Sequence, residues 1–316
     1  MKVAILDDIH QAYDSQPAIA RLRERAEVHI FTEPFGSPEA LRGFDAIVAN
    51  RERTRFPREL LEQLPDLRIL AQTGVHAYHI DFEAAETLGI TVARAMSSGS
   101  SGSTSELTFG LIISLMRHIT TSHTGIRNGE WPTPLGLELG GRTIGIVGLG
   151  NLGQRTAHIA HAFNMPVLAW SRSLTAERAR EHGAELRPLD ELLRESDVVT
   201  VHVPLTNASR GLIGAREIGL MKPTAYLINT SRGPIVSESA IVDALQNKTI
   251  AGVGLDVFDQ EPLPVDHPFR SLPNILLTPH LGWPTDGAYS RFADAAADVL
   301  IDYLDGKPVP TFNHER

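Results

Sequence analysis

The chain has 316 residues, 42% apolar and 21% charged, the composition of a globular protein long enough to bury two cores. Its net charge of −9 argues against a surface for phosphate backbones or anionic membranes. Arg51, Arg53, Arg55 and Arg58 form no basic patch, because Glu52 and Glu59 are interleaved with them. With no cysteine, disulfides, thiolate-bound zinc and a thiol nucleophile are excluded, and no metal-ligand spacing is visible. The opening MKVAILDDIHQ reaches acidic residues too soon for a signal peptide, and the apolar run Leu107–Met116 is too short for a bilayer. A cytoplasmic protein without nucleic-acid or membrane partners is expected.

In chain order, Lys2–Leu6 reads as a buried strand and Gln16–Ala26 as a helix. Strands at Val28–Phe31, Ala46–Val48 and Leu67–Leu70 follow, with a helix at Pro57–Leu64 before the last of them. Alternating strand and helix signals predict a parallel α/β sheet. No glycine loop follows the first strand, so this half is not expected to hold a nucleotide. The stretch MSSGSSGSTS at Met96–Ser105 reads as a loop or hinge leading into an apolar helix, Glu106–Ile119. A second series then begins at Thr143–Val147. It continues through Val167–Trp170, Val198–Val201, Tyr226–Asn229, Gly252–Asp256 and Ile275–Thr278. The alanine-rich helix Asp286–Leu304 closes the chain and is long enough to pack back on the first domain. The expected fold is therefore α/β, with two doubly wound parallel-sheet domains.

Three kinds of motif carry chemistry. Gly148-Leu149-Gly150-Asn151-Leu152-Gly153 is a GxGxxG between the strand TIGIV and a helix at Asn151–Phe163. Gly148 permits the turn, Gly150 lets backbone approach a pyrophosphate, and Gly153 allows close helix–strand packing. Where the next strand ends, an acid for the ribose 2′-hydroxyl is usual, yet the chain has Ser171, Arg172 and Ser173. A guanidinium with two hydroxyls suits a 2′-phosphate, which favours NADP(H). The alternative is NAD(H), with Arg172 merely solvated. Downstream, Arg232, Glu261 and His280 each lie just beyond a strand end, where open sheets place their ligands. The arginine fork can hold a carboxylate and polarise a ketone, and a histidine beside a carboxylate can supply the proton. Singly, each also reads as a cap, a turn residue or a loop histidine; together they read as a site.

The series GLGNLG, HVPLT, INTSRGPIV, GVGLDVFDQEPL and LTPHLG resembles the signature set of the D-isomer-specific 2-hydroxyacid dehydrogenases. The resemblance runs from about Ile69 to Thr285. It implies a flavodoxin-like substrate domain (1–98 with 287–316) and a Rossmann dinucleotide-binding domain (99–286), with the active site in the cleft. It also implies hydride transfer between a nicotinamide cofactor and a small 2-keto acid or D-2-hydroxy acid, such as glyoxylate or hydroxypyruvate. Arg232 matches the substrate-binding arginine, Glu261 the acid paired with histidine, and His280 the general acid/base. Asp256 matches the contact to the nicotinamide carboxamide. Val203 and Pro204 match the apolar wall beside the adenine and ribose, and His202, Thr230 and Ser231 are further candidates for cofactor binding. Thr73, Gly74 and Val75 match the loop whose backbone amides receive the substrate carboxylate, with His76 beside them as a further candidate for substrate binding. A homodimer with the helix Glu106–Ile119 near its interface is implied too.

Two departures stand out. Trp283 follows the histidine stretch where small residues are usual, and reads either as substrate mouth or as core or interface packing. His76, Ala77, Tyr78 and His79 replace smaller or acidic residues after Gly74. The other class of function open to this fold is a dinucleotide-sensing, corepressor-like binding module. The intact Arg232, Glu261 and His280 set and the lack of an interaction tail favour the enzyme.

Overall fold

The computed structural model describes residues 1–74, 76–96 and 102–312, so Val75 and half of the expected hinge lie outside the described residues. The chain divides into two compact units, Met1–Gly99 with Pro284–Arg316, and Ser100–Trp283.

The first unit is a five-stranded sheet of β1 (Lys2–Ile5), β2 (Glu27–Ile30), β3 (Ala46–Ala49), β4 (Ile69–Thr73) and β5 (Thr91–Ala95). Every pairing is parallel and the order is β2-β1-β3-β4-β5. β3 and β4 are buried along their whole length, whereas the edge strand β2 alternates between exposed and half-buried residues. That contrast follows from helices covering both faces of a parallel sheet. β5 is a strand that the hydrophobic pattern does not reveal, since the exposed Arg94 interrupts it. Its free edge is covered by the C-terminal tail: the Arg94 amide donates to the Pro310 carbonyl at 2.7 Å, and Ala93 bridges Thr311 antiparallel. The helix Asp286–Leu304 buries Ala288, Tyr289, Ala293, Ala296, Ala297 and Leu300 within this unit. Ion pairs from Arg21 to Asp298 at 2.6 Å and from Arg25 to Asp305 at 2.7 Å tie it to the first helical segment of the chain.

The second unit is a seven-stranded parallel sheet in the order β12-β11-β10-β9-β6-β7-β8. Its strands are β6 (Ile144–Val147), β7 (Val167–Trp170), β8 (Glu185–Leu186), β9 (Val198–Val201), β10 (Tyr226–Asn229), β11 (Gly252–Leu255) and β12 (Ile275–Leu277). β6, β9, β10 and β11 are buried throughout. The chain winds from β6 outward through β7 and β8, then returns to β9 on the other side of β6. The switch point therefore lies between β6 and β9, where a doubly wound sheet opens a crevice at its carboxyl edge.

The helix expected at Glu106–Ile119 departs from the expectation at both ends. The helix begins at Ser103, inside the stretch read as a loop, and ends at Met116 instead of Ile119. The hydroxyls that suggested a loop have internal partners: Ser103 and Thr104 donate to the Gly282 carbonyl at 2.8 Å, and Ser105 donates to the Leu152 carbonyl at 3.1 Å. A buried hydroxyl is tolerated in a helix when its hydrogen bond is made. At the other end, His118 adopts a left-handed φ of 55°, and a separate helix runs from Ile119 to Arg127.

Candidate active site

The glycine loop is fixed by close backbone approach at the β6/β9 switch point. Gly148 has φ 109°, and a Cβ there would lie 2.8 Å from both the His202 carbonyl carbon and Val203 Cγ1. A Cβ on Gly153 would lie 2.0 Å from the Gly148 oxygen, so the helix Asn151–Ala162 presses directly on the loop. Gly150 differs, because a Cβ there would meet nothing within 4 Å. That open side lies at the start of a twelve-residue helix whose first amides have no side-chain cap. Asn151 and Leu152 occupy its first turn. Space, free amides and a positive dipole end together fit the pyrophosphate of a dinucleotide. The Gly148 amide also donates to the Trp170 carbonyl at 2.7 Å, which ties the end of β7 to this loop. Ser171 follows half-buried, with Arg172 and Ser173 exposed.

Beyond β9, His202 turns its ring inward. Nε2 lies 3.0 Å from Thr200 Oγ1 and 3.3 Å from Thr156 Oγ1, and burial pushes its pKa down to about 4. Val203 and Pro204 stay partly exposed. Ser231 reaches across from the end of β10 and donates to the Val203 carbonyl at 2.5 Å. Thr230 is buried, with its hydroxyl 3.0 Å from that of Thr108.

Arg232, Glu261 and His280 follow β10, β11 and β12, three neighbouring strands of the sheet. The buried Asn229 fixes the arginine turn by donating from Nδ2 to the Arg232 carbonyl at 2.9 Å and accepting the Ser231 amide at 3.0 Å. The role of Asn229 is visible only in the folded turn. Gly233 lets this turn touch the next one: a Cβ would lie 2.1 Å from the Phe258 carbonyl carbon. Glu261 Oε2 is 2.7 Å from His280 Nδ1, and Oε1 accepts the Phe258 amide at 2.9 Å. Burial pulls the Glu261 carboxyl upward. The His280 hydrogen bond and charge, the Phe258 amide and the Arg232 charge outweigh that and leave it below its ordinary value.

Asp256 organises the histidine segment. Its fully buried carboxylate accepts Thr278 Oγ1 at 2.5 Å, the Leu281 amide at 2.7 Å and the Gly282 amide at 2.8 Å. Its carbonyl accepts the His280 amide at 2.9 Å. Burial raises the Asp256 carboxyl against the pull of these donors. His280 has φ 56°, a left-handed conformation that this clamp holds. Among the described residues no group of three or more acidic or histidine side chains is placed to hold a metal.

In the first unit, Thr73 is buried and turned into the fold: its hydroxyl accepts the Arg51 amide at 3.0 Å and donates to the Ala49 carbonyl at 3.1 Å. Gly74 has φ 92° and a Cβ there would lie 3.0 Å from Arg51 Cδ. Gln72 holds this loop from beneath, its amide nitrogen reaching the carbonyls of Arg51, Thr73 and His76 at 3.1, 2.8 and 2.9 Å. Its oxygen faces His79 Nε2 at 3.2 Å, and burial lowers the His79 pKa. Nothing in the local pattern marks Gln72, whose partners are visible only in the fold. His76 and Trp283 are both half-buried.

Residues 109–282 match the family model described as D-isomer specific 2-hydroxyacid dehydrogenase, NAD binding domain. The chain belongs to the D-isomer-specific 2-hydroxyacid dehydrogenase family. It is a nicotinamide-dependent oxidoreductase that acts on the CH–OH group of 2-hydroxy acids, or in reverse on 2-keto acids. Among its relatives, a glyoxylate reductase of Aeropyrum pernix is 42% identical over 265 residues, covering 81% of this chain and 79% of that protein. A glyoxylate reductase of Pyrococcus furiosus is 38% identical over 307 residues, covering 93% and 90%. The crystal structure of a phosphoglycerate oxidoreductase from Vibrio cholerae superimposes with a TM-score of 0.88 at 33% identity, covering 97% of this chain and 99% of that one. No helix among the described residues is long and apolar enough to cross a membrane.

The inward ring of His202 has a measurable pH signature. An unfolded histidine takes a proton near pH 6.5, whereas the folded His202 refuses it until about pH 4. Stability contributed by the neutral ring is therefore present above 6.5 and lost as pH falls towards 4. The urea midpoint should fall more steeply across this window in the wild type than in His202→Gln. Parallel curves would show that the ring is not held neutral.

Proposed function

We propose that the protein reduces a small 2-keto acid of the glyoxylate or hydroxypyruvate kind, with NADPH preferred to NADH. The observation that carries this reading is the 2.7 Å contact between His280 Nδ1 and Glu261 Oε2, with Arg232 at the end of the adjoining strand. Glyoxylate reductases among the relatives, at 38–42% identity, support the substrate class. Arg232 binds the carboxylate of the keto acid through its fork and polarises the ketone. With Nδ1 committed to Glu261, His280 is left with Nε2 to face the reactant, and its proton passes from there to the ketone oxygen as the carbonyl carbon becomes tetrahedral. Glu261 orients the ring and stabilises its positive form until the proton is given up. The hydride that the carbonyl carbon accepts is what a bound reduced nicotinamide supplies.

Gly148, Gly150 and Gly153, with the first amides of the helix Asn151–Ala162, would hold the pyrophosphate. Val203 and Pro204 would wall the adenosine, and Asp256 would accept from the carboxamide. Ser171, Arg172 and Ser173, where an acid is usual, support the 2′-phosphate form of the cofactor. A homodimer and a cytoplasmic setting are part of the same reading. The dimer is supported by an exposed apolar stretch that includes Ile119, Ile126, Trp131 and Leu135, with Trp131 82% and Leu135 89% exposed.

Arg232→Ala should lower kcat/KM for glyoxylate reduction by roughly 10²- to 10³-fold, the loss typical of one charge-stabilising donor. Arg232→Lys should remain at least about tenfold impaired, since a point charge does not reproduce the fork. Near-normal kcat/KM in the lysine variant would remove this role from Arg232. For the cofactor, wild-type kcat/KM should be higher with NADPH than with NADH, and the double variant Ser171→Asp, Arg172→Ala should reverse the order. A wild-type enzyme that works better with NADH would make Arg172 a solvated surface residue.

A further inference from the structure

Glu261 reaches His280 from a turn, Phe258–Glu261, and something must keep that turn in place. Gly233 brings the Arg232 turn into backbone contact with Phe258, but contact alone does not set a carboxylate's direction. A second set of bonds does. Glu238 is the first residue of the helix Glu238–Gln246, which Ser237 already caps by accepting the Ala240 amide. Glu238 is therefore not needed as a cap, and its side chain is only 18% exposed, unusual for a first-turn acid. Both of its oxygens are used. Oε1 accepts the Asp259 amide at 2.9 Å, and Oε2 lies 3.2 Å from His267 Nε2. His267 Nδ1 accepts the Phe269 amide at 3.3 Å, so the ring carries its proton on Nε2 and donates it to Glu238. Phe269 is fully buried and meets the His267 ring edge-on at 4.5 Å. The chain of bonds thus runs from a buried anchor, through His267 and Glu238, to the amide beside the one that Glu261 accepts.

This arrangement carries an electrostatic cost. Burial and then the Glu238 charge hold the Asp259 carboxyl above its ordinary value, with Arg210 and His267 opposing. Two acids kept side by side call for a compensating role. We propose that Glu238 and His267 are a positioning pair that fixes the Phe258–Glu261 turn, and so aims the Glu261 carboxylate at His280. The pair touches no reactant and acts through Glu261, whose own charged neighbours are His280 and Arg232. The inference rests on the proton-transfer reading of His280 and Glu261 given above.

The test is a double-mutant cycle on the intact enzyme, reading kcat/KM for glyoxylate reduction against pH. In Glu261→Gln the limb on which reduction fails with rising pH should move to lower pH, because the histidine has lost its carboxylate. Glu238→Ala should move the same limb in the same direction by less, and lower kcat/KM by about 10- to 100-fold. Glu238→Gln keeps an acceptor for the Asp259 amide and should recover most of that loss. The double variant Glu238→Ala, Glu261→Gln should have the limb of Glu261→Gln alone, since both changes act on one interaction. If Glu238→Ala folds poorly, His267→Gln removes only the outer bond and should show a smaller shift of the same sign. A limb that moves in Glu261→Gln but stays put in Glu238→Ala and His267→Gln, or additive losses in the double variant, would overturn the positioning role alone. A limb unmoved in Glu261→Gln would overturn the proton-transfer reading, and this inference with it.

Discussion

The hydrogen bond between His280 and Glu261 is the interaction that the second unit's carboxyl edge is arranged to hold. The two residues are 19 apart in the chain and follow different strands, so neither helix nor turn geometry can set their 2.7 Å contact. It is set by a frame. Parallel pairing of β11 and β12 brings the two strand ends together, and the buried Asp256 gathers Thr278, Leu281 and Gly282 around one carboxylate. That clamp holds His280 in a left-handed conformation that few non-glycine residues adopt. On the other side, Gly233 lets the Arg232 turn press on the turn that carries Glu261. A charge-assisted hydrogen bond between a carboxylate and a histidine fixes direction as well as adding strength.

Close backbone approach is the second constraint. At the β6/β9 switch point the segment after β9 leaves no room for a side chain at Gly148, the Gly148 carbonyl leaves none at Gly153, and Gly150 faces open space. One loop thereby combines packing that must be glycine with a cradle that a ligand can fill. The same logic operates in the first unit by a different device: the Gln72 amide gathers three carbonyls around the turn at Gly74. Both devices sit at strand ends because the strand interiors are committed to the core. β4, β6, β9, β10 and β11 bury every residue and leave only their carboxyl ends for polar work.

Much of this was legible in the amino-acid sequence, for reasons particular to each element. The strand from Thr143 and the helix from Asn151 were readable because a buried run, a glycine loop and a helical period agree over a short span. Arg232, Glu261 and His280 were readable as candidates because each lies just past an apolar strand. The pairing of Glu261 with His280 was implied by the family resemblance; the residues that hold the two in place were not readable. Glu238 and His267 act through partners that only the fold brings near, as Glu238 does with Asp259 and His267 over 21 and 29 residues, and Gln72 reaches Arg51 over 21. β5 was hidden by Arg94, whose exposure on a sheet edge breaks the apolar run. The helix start at Ser103 was hidden by hydroxyls that look like loop residues until Gly282 and Leu152 supply their acceptors.

In the proposed mechanism Glu261 decides which nitrogen of His280 is committed inward and which is left for the reactant. Nitrogen-15 NMR of the histidine-labelled protein, with resonances assigned by comparison with His280→Ala, reads this directly. The neutral His280 ring should carry its proton on Nδ1, hydrogen bonded to Glu261, and Glu261→Gln should lose that bonded proton signal. A neutral ring protonated on Nε2 in the wild type, unchanged by Glu261→Gln, would contradict the account.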